Sequence, residues 1–348
     1  MTTSRQCLIW VLQTARAGDN AQARELAGRL AGQQVLKPLG FNSWHRLPNG
    51  FTRASLVTLD KVTRASLTPP WPDLVIATGK RTVPVALWIR QASGGRVKLI
   101  QIGRPRAPLR LFDLVVTTPQ YGLPEAANVV HMDLPFTSRR SIDAGEMARW
   151  RVVWNDLPRP WIVGVLGAAR YPLTMSVRQA GSMGRALSAF ARRQGGSVIL
   201  ISSPRTDKTM AQAVAAAVTT PIWTGGPASA EGNPYAAALA LGDRFAVTSD
   251  SVSMVADLLA TEKPVSIYRL PLAPLRLRWP AKTGLAAALV RRGILHPPRD
   301  VDALVQGLLD KGVVAELGHE DEPHPFFDQK AAEEAVVARI QAMLECAI

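Results

Sequence analysis

The residues best placed to do chemistry lie between two apolar runs, at 249–254, in the order Ser249-Asp250-Ser251-Val252-Ser253-Met254. The run 245–248 before them reads as a strand. The segment 252–260 after them has apolar residues at helical spacing, and Pro264 ends it before a second strand at 265–268. Strand, polar loop, helix and strand make a βαβ unit of a parallel sheet. Its helix N-terminus presents unpaired N–H groups and a positive dipole end, where a phosphate-bearing ligand is held well. Ser and Asp are also the ordinary caps of any helix, so a purely structural role for Asp250, Ser251 and Ser253 stands beside the ligand reading.

Other loops offer similar chemistry. Thr14 to Asn20 follows a strand expected at 7–12, with Gly18 for a tight turn and Asp19 or Asn20 as cap of a helix over 21–30. Gly79-Lys80-Arg81-Thr82 follows a strand at 73–78. A Lys-Arg pair in the first turn of the helix expected at 83–91 opposes the helix dipole, which points to a bound anion or to solvated side chains. Arg104 and Arg106 follow the strand expected at 97–102 as further anion contacts. No His/Cys/Asp spacing makes a metal site, no Gly-x-Ser-x-Gly elbow is present, and no cofactor is expected.

The positioning elements alternate along the chain. Strands are expected at 112–117, 129–131, 161–166, 197–202 and near 222–223, and helices at 138–153, 177–194, 209–218, 233–241, 285–292, 300–310 and 328–346. The segment 41–72, with Trp44, Trp71 and a Pro-Pro-Trp-Pro cluster, reads mostly as connection. The Trp residues read as packing groups rather than as a stacking platform. The alternation predicts an α/β fold of two doubly wound Rossmann-like domains facing a cleft. The expected domains are 1–155 and 161–325, with a helix in 326–348 packing back on the first.

At 348 residues the chain exceeds one ordinary core. Its 47% hydrophobic content fits a globular protein, and no apolar run approaches membrane-spanning length. The two cysteines, Cys7 and Cys346, form no motif and fit a reducing cytoplasm. The net charge is +14, spread through 80–110, 139–159, 170–208 and 269–299, while the tail after Glu316 is acidic. Such an excess attracts polyanions. With no aromatic-interleaved basic motif, sequence-specific nucleic-acid binding is disfavoured. A phosphorylated small molecule in a basic cleft, or peripheral contact with anionic membrane at its inner face, is preferred.

Taken together, 14–22, 79–106 (GKRTVPVALWIRQASGGRVKLIQIGRPR), 112–119 and above all 233–265, with its Asn-Pro-Tyr and Thr-Ser-Asp-Ser-Val-Ser-Met pieces, resemble the bacterial members of the elongated-mitochondria fission-protein family. The resemblance covers nearly the whole chain. It implies a fold similar to the two-domain GT-B glycosyltransferases. The family's plant member acts at the mitochondrial outer surface, recruiting a dynamin-related protein. Bacterial members are often labelled nucleoside-diphosphate-sugar epimerases, yet this chain has no G-x-G-x-x-G after its first strand and no Tyr-x-x-x-Lys pair.

The chain departs from the family pattern in three loops. Where the first loop usually reads Asp-Gly-Arg-x-Gly-His-x-x-Gln, it has Thr14, Ala15, Arg16, Gly18, Asp19 and Gln22. A usual His-Asp pair is Gln120-Tyr121, and a usual Gly-Gly pair is Gly167-Ala168. By likeness to GT-B transferases, Ser249, Asp250, Ser251, Ser253 and Met254 would meet a nucleotide diphosphate and Asp257 the ribose hydroxyls. Gly18, Asn20, Gly167, Arg170 and Arg205 would close on the phosphates, and Asp19 is the candidate base. This implies a nucleotide-sugar ligand, with metal-independent transfer to an envelope acceptor. The alternative is a non-enzymatic membrane-surface or protein-interaction module.

Overall fold

The computed structural model describes residues 6–137, 142–169, 172–272, 283–319, 323 and 329–345. The chain divides into two compact units. One comprises Met1–Phe136, Arg278–Asp300 and Asp328–Ile348, the other Thr137–Leu277 and Val301–Phe327.

The first unit begins β1 Leu8–Gln13, α1 Ala17–Gly28, β2 Gln33–Pro38, α2 Asn49–Thr52, α3 Lys61–Ser66 and β3 Leu74–Thr78. It continues α4 Val83–Ala92, β4 Lys98–Ile102, β5 Leu114–Thr117 and β6 Val129–His131. The second unit runs α5 Ala144–Val153, β7 Trp161–Leu166, α6 Val177–Arg193, β8 Ser197–Ser202, α7 Lys208–Ala216, β9 Ile222–Gly225, α8 Tyr235–Leu241, β10 Arg244–Thr248, α9 Val252–Leu259 and β11 Val265–Tyr268. After α10 Gly284–Arg291 in the first unit, α11 Val301–Asp310 and β12 Ala315–Glu316 complete the second, and α12 Lys330–Glu345 belongs to the first.

Each unit holds one six-stranded sheet, and every pairing in both is parallel. The first is ordered β2-β1-β3-β4-β5-β6 and the second β12-β11-β10-β7-β8-β9. The strand order reverses between β1 and β3 in one sheet and between β7 and β10 in the other. Ligands of doubly wound sheets bind at such switch points, outside the carboxyl ends of the strands.

Side-chain alternation divides β1 between two cores. Trp10 and Leu12 pack with Val75, Ala77 and the apolar face of α4. Ile9 and Val11 pack on the opposite face with Leu26 of α1 and Val336 and Ile340 of α12. Arg29 pairs with Glu333 at 2.6 Å, tying α12 to α1. The central strands β3 and β7 are buried along their whole length, as parallel strands covered on both faces must be. Seven tryptophans fall into two packed groups, Trp10-Trp71-Trp88 and Trp150-Trp154-Trp161-Trp223, as their reading as packing groups anticipates.

Four local expectations are corrected. Strand β2 has no counterpart in the sequence reading, because Gln33-Gln34 and Pro38 hide an edge strand whose outer face needs no apolar run. The segment 41–72 contains the short helices α2 and α3. Helix α1 starts earlier than expected, at Ala17 with Arg16 as its N-cap, so neither Asp19 nor Asn20 caps it. Helix α5 starts at Ala144, capped by the Asp143 carboxylate; the first part of the helix expected over 138–153, at 138–141, lies outside the described residues.

Candidate functional site

At the switch point of the second sheet, the ends of β7 and β10 are bonded to each other. The Gly167 amide donates to Thr248 Oγ1 at 2.8 Å. The Ala168 and Ala169 amides both donate to Asp250 Oδ2, at 2.8 and 3.0 Å. Asp250 Oδ1 is buried with no hydrogen-bond partner among the described residues. The Thr206 hydroxyl reaches the Leu166 and Gly167 carbonyls at 2.8 and 3.0 Å, pinning the same turn from the β8 side. Asp250 therefore acts across the sheet rather than as a cap of its own helix. Ser251 occupies the N-cap position of α9 without a side-chain cap bond.

Glycine at 167 leaves room for the Asp250 carboxylate. A Cβ there would stand 2.2 Å from Asp250 Oδ1 and 2.4 Å from Oδ2. In Gly167→Ala the carboxylate must swing away and release both amides, an expected loss of about 1–3 kcal/mol in urea unfolding. Because the clash and the lost bonds share one carboxylate, adding Gly167→Ala to Asp250→Ala should cost little more than Asp250→Ala alone.

The Ser249 hydroxyl accepts from the Leu270 amide at 3.0 Å and so joins the ends of β10 and β11. Ser253 is exposed and Met254 half-buried in the first turn of α9. Asp257 accepts from the Thr137 hydroxyl at 2.6 Å and from the Tyr235 hydroxyl at 3.0 Å, so both its oxygens already hold hydroxyl groups. Arg205 is exposed beyond β8, and Arg170 lies outside the described residues. Thr248 and Tyr235 fall in the pieces that carry the family resemblance but had no role read for them, and Thr206 and Thr137 escaped the sequence reading because a lone loop hydroxyl carries no spacing signal.

The switch point of the first sheet has a different character. Asn20 clamps the first loop, accepting from the Thr14 amide at 2.9 Å and donating to the Thr14 carbonyl at 2.7 Å. Gly18 lies in the first turn of α1, and Asp19 stands 3.7 Å from Arg16 in an ion pair. A Cβ built on Gly79 would lie 3.7 Å from Asp19 Oδ2, so the loops after β1 and β3 meet. Asn49 Nδ2 donates to the Lys80 carbonyl at 3.0 Å and to the Pro105 carbonyl at 2.9 Å, joining the loops after β3 and β4. Lys80 and Arg81 sit in the turn before α4, whose N-cap is Thr82, rather than in its first turn.

Cations gather at this edge. Arg104 is 9% exposed, and its guanidinium donates to the carbonyls of Pro297 and Tyr121. Arg299 is bonded to Gln120 Oε1. Burial first, then Arg106, lower the Arg104 guanidinium to about 10. Burial, then Arg106, Arg81 and Arg16, lower the Lys80 ammonium; burial, then Arg106, Arg104 and Lys80, lower the His296 imidazole. Burial raises the Tyr121 phenol. Among the described residues, none of Lys80, Arg81, Arg104, Arg106 and Arg299 has a carboxylate partner.

Beneath these cations the strand ends carry buried polar atoms with no partner among the described residues: Gln13 Nε2, Thr78 Oγ1, Gln101 Oε1 and Thr117 Oγ1, from β1, β3, β4 and β5. A small cavity lined by Gln22, Gly103, Thr117, Gln120, Tyr121 and Phe136 opens at the same edge. Arg16, His296 and Arg299 join this group without any local sequence signal, the last two arriving from the segment that returns after the second unit.

A family profile described as "Mitochondrial fission ELM1" matches residues 17–337. Mitochondrial fission protein ELM1 of Arabidopsis thaliana is 29% identical over 227 residues, which is 56% of this chain and 51% of that protein. An uncharacterised protein of Rickettsia prowazekii is 28% identical over 109 residues, 31% of this chain and 30% of that one. The chain thus spans about half the length of the plant relative and less of the other. Among solved structures, a Listeria monocytogenes protein provisionally named a UDP-N-acetylglucosamine 2-epimerase aligns at TM-score 0.51 and 11% identity, over 98% of this chain and 97% of that one. The likeness is one of fold, of the GT-B-like class with two Rossmann-like units. With the profile match covering nearly its whole length, the chain belongs to the mitochondrial fission ELM1 family.

Proposed function

We propose that this GT-B-like protein binds a nucleotide-sugar or a similarly phosphorylated ligand, and that it transfers the sugar to an envelope acceptor with Asp19 as the base. The observation that carries the reading is the group of cations without carboxylate partners at the carboxyl edge of the first sheet, with Arg104 nearly buried among them. A buried charge is costly unless paired, so a persistent cluster of one sign at a switch point is matched to an anion. Arg supplies the fork that grips phosphate oxygens in pairs. The nucleoside-diphosphate-sugar epimerase label gains nothing from the loops, which lack the glycine fingerprint.

Asp250 and Asp257 favour a second reading, a module that keeps the fold without the chemistry. Asp250 Oδ2 already accepts from two of the protein's own amides, and both oxygens of Asp257 accept from its hydroxyls. Thermal unfolding against a panel of nucleoside diphosphates and their sugar conjugates separates the readings. A ligand at about a hundred times its dissociation constant stabilises by about 2.7 kcal/mol. Stabilisation lost in Arg104→Gln and kept in Ser251→Ala assigns the ligand to the first unit; the reverse assigns it to the second. No stabilisation of the wild type by any member of the panel overturns the proposal in favour of the second reading.

A further inference from the structure

Ten large apolar side chains are strongly exposed among the described residues, and six of them, Leu36, Trp44, Leu47, Phe51, Val57 and Val62, fall within one short stretch. Isolated exposed apolar residues are ordinary, whereas a concentration of this kind marks a contact surface. Phe51 and Val62 are each 81% exposed and Trp44 is 59% exposed. The local structure holds them outward. Helix α2 buries only Thr52, and α3 buries only Thr63. Asn42 ties the two halves of the stretch together, donating to the carbonyls of Val57 at 2.8 Å and Leu59 at 2.9 Å, so Trp44 and Val57 belong to one packed loop layer.

The charge in the same stretch is one-sided. Lys37, Arg46, Arg53, Lys61 and Arg64 lie within 36–64, and Asp60 is the single acid there. Its carboxylate is engaged, accepting from the Thr63 amide at 2.7 Å as the cap of α3. Arg46, Arg53, Lys61 and Arg64 are exposed. Tryptophan and phenylalanine flanked by Lys and Arg suit the boundary between acyl chains and headgroups, and clustered cations attract anionic lipid. No helix among the described residues is long and apolar enough to cross a membrane.

We infer that residues 36–64 form a docking surface for an anionic lipid bilayer, with Trp44, Phe51 and Val62 entering the interface and Arg46, Arg53, Lys61 and Arg64 meeting the headgroups. The surface abuts the cationic edge through Asn49, which donates to the Lys80 and Pro105 carbonyls, but its test uses no nucleotide and changes none of the residues of the ligand reading. The full chain is sedimented with phosphatidylcholine vesicles that contain or lack phosphatidylglycerol. Wild type should pellet with the anionic vesicles and remain in solution with the neutral ones. A Trp44→Ser, Phe51→Ser variant should lose about a hundredfold in partitioning, the order expected when two aromatic side chains leave an apolar phase. An Arg53→Glu, Lys61→Glu variant should lose its preference for anionic vesicles, by about fivefold for each cation removed. Val152→Ser, which changes an exposed apolar residue of the other unit, should behave as wild type. All these positions are exposed, so melting temperatures should be unchanged and a loss of folding will not imitate a loss of binding. Wild type that stays in solution with anionic vesicles overturns the inference. So do variants that sediment like wild type, or a Phe51→Ser change that abolishes self-association in gel filtration while vesicle binding persists; the last outcome makes this face a protein contact.

Discussion

Replacing Arg104 by glutamine is expected to weaken phosphate-ligand binding by about a hundredfold, the scale for removing one buried, hydrogen-bonded charge from a complex. The melting temperature without ligand should stay near that of wild type. Two effects oppose each other there. Removing a desolvated cation relieves a penalty made visible by the lowering of the guanidinium to about 10. Removing the same group leaves the Pro297 and Tyr121 carbonyls without a donor, a loss of about 1–3 kcal/mol each if they remain dry. Arg104→Lys keeps the charge and loses the planar fork, so its affinity should fall between the two.

His296 reports on the same event. Its imidazole is held below its ordinary value by burial and by Arg106, Arg104 and Lys80. A bound anion offsets those cations and raises the imidazole, so binding takes up a proton and affinity should rise as pH falls through the imidazole range. Calorimetry in buffers of different ionisation enthalpy reads the uptake directly. If Arg104→Gln instead lowers the melting temperature sharply and leaves ligand stabilisation intact, Arg104 is a strut between the β4 loop and the returning segment, and the phosphate reading of this edge fails.

The largest loss of stability is expected from Trp154→Ala. Trp154 is fully buried with Trp150, and its ring lies 5.1 Å from Trp150, 5.6 Å from Trp161 and 5.6 Å from Trp223. It joins α5 to the first strand and the edge strand of the second sheet. Truncating a buried tryptophan removes apolar area and leaves a cavity, together about 3–5 kcal/mol. The indole Nε1 of Trp154 has no hydrogen-bond partner among the described residues, so Trp154→Phe gives up volume and no bond. It should cost about 2 kcal/mol or less. Urea unfolding followed by circular dichroism gives both numbers. Equal losses in the two variants would mean that the ring volume contributes little and that the packing account is wrong.

How much was legible in the sequence follows from where each element lies in its sheet. Central strands such as β3, β7 and β8 are covered on both faces, so their interiors must be continuous apolar runs, and such runs stand out in the sequence. The edge strand β2 must meet water, and β12 is two residues long, so neither leaves a periodic trace. Helix α6 announces itself by its capping box, Ser176 and Gln179, and by Arg192 and Arg193 in the last turn. The start of α1 is hidden in the sequence because Gly18, Asp19 and Asn20 look like turn residues, and only the clamp from Asn20 back to Thr14 shows how Asn20 is used.

The chain alone thus settled two parallel α/β units, the strand ends at which polar loops fall, and the family those loops resemble, because all of these depend on local pattern. Tertiary structure decided what the loops do. The β7–β10 register, with Val247 beside Val165, brings Asp250 under the Ala168 and Ala169 amides. The return of 278–300 to the first unit delivers His296 and Arg299 to the ends of β4 and β5. Both depend on strand order and chain return, which bring together residues more than eighty positions apart, and no neighbouring sequence carries that information.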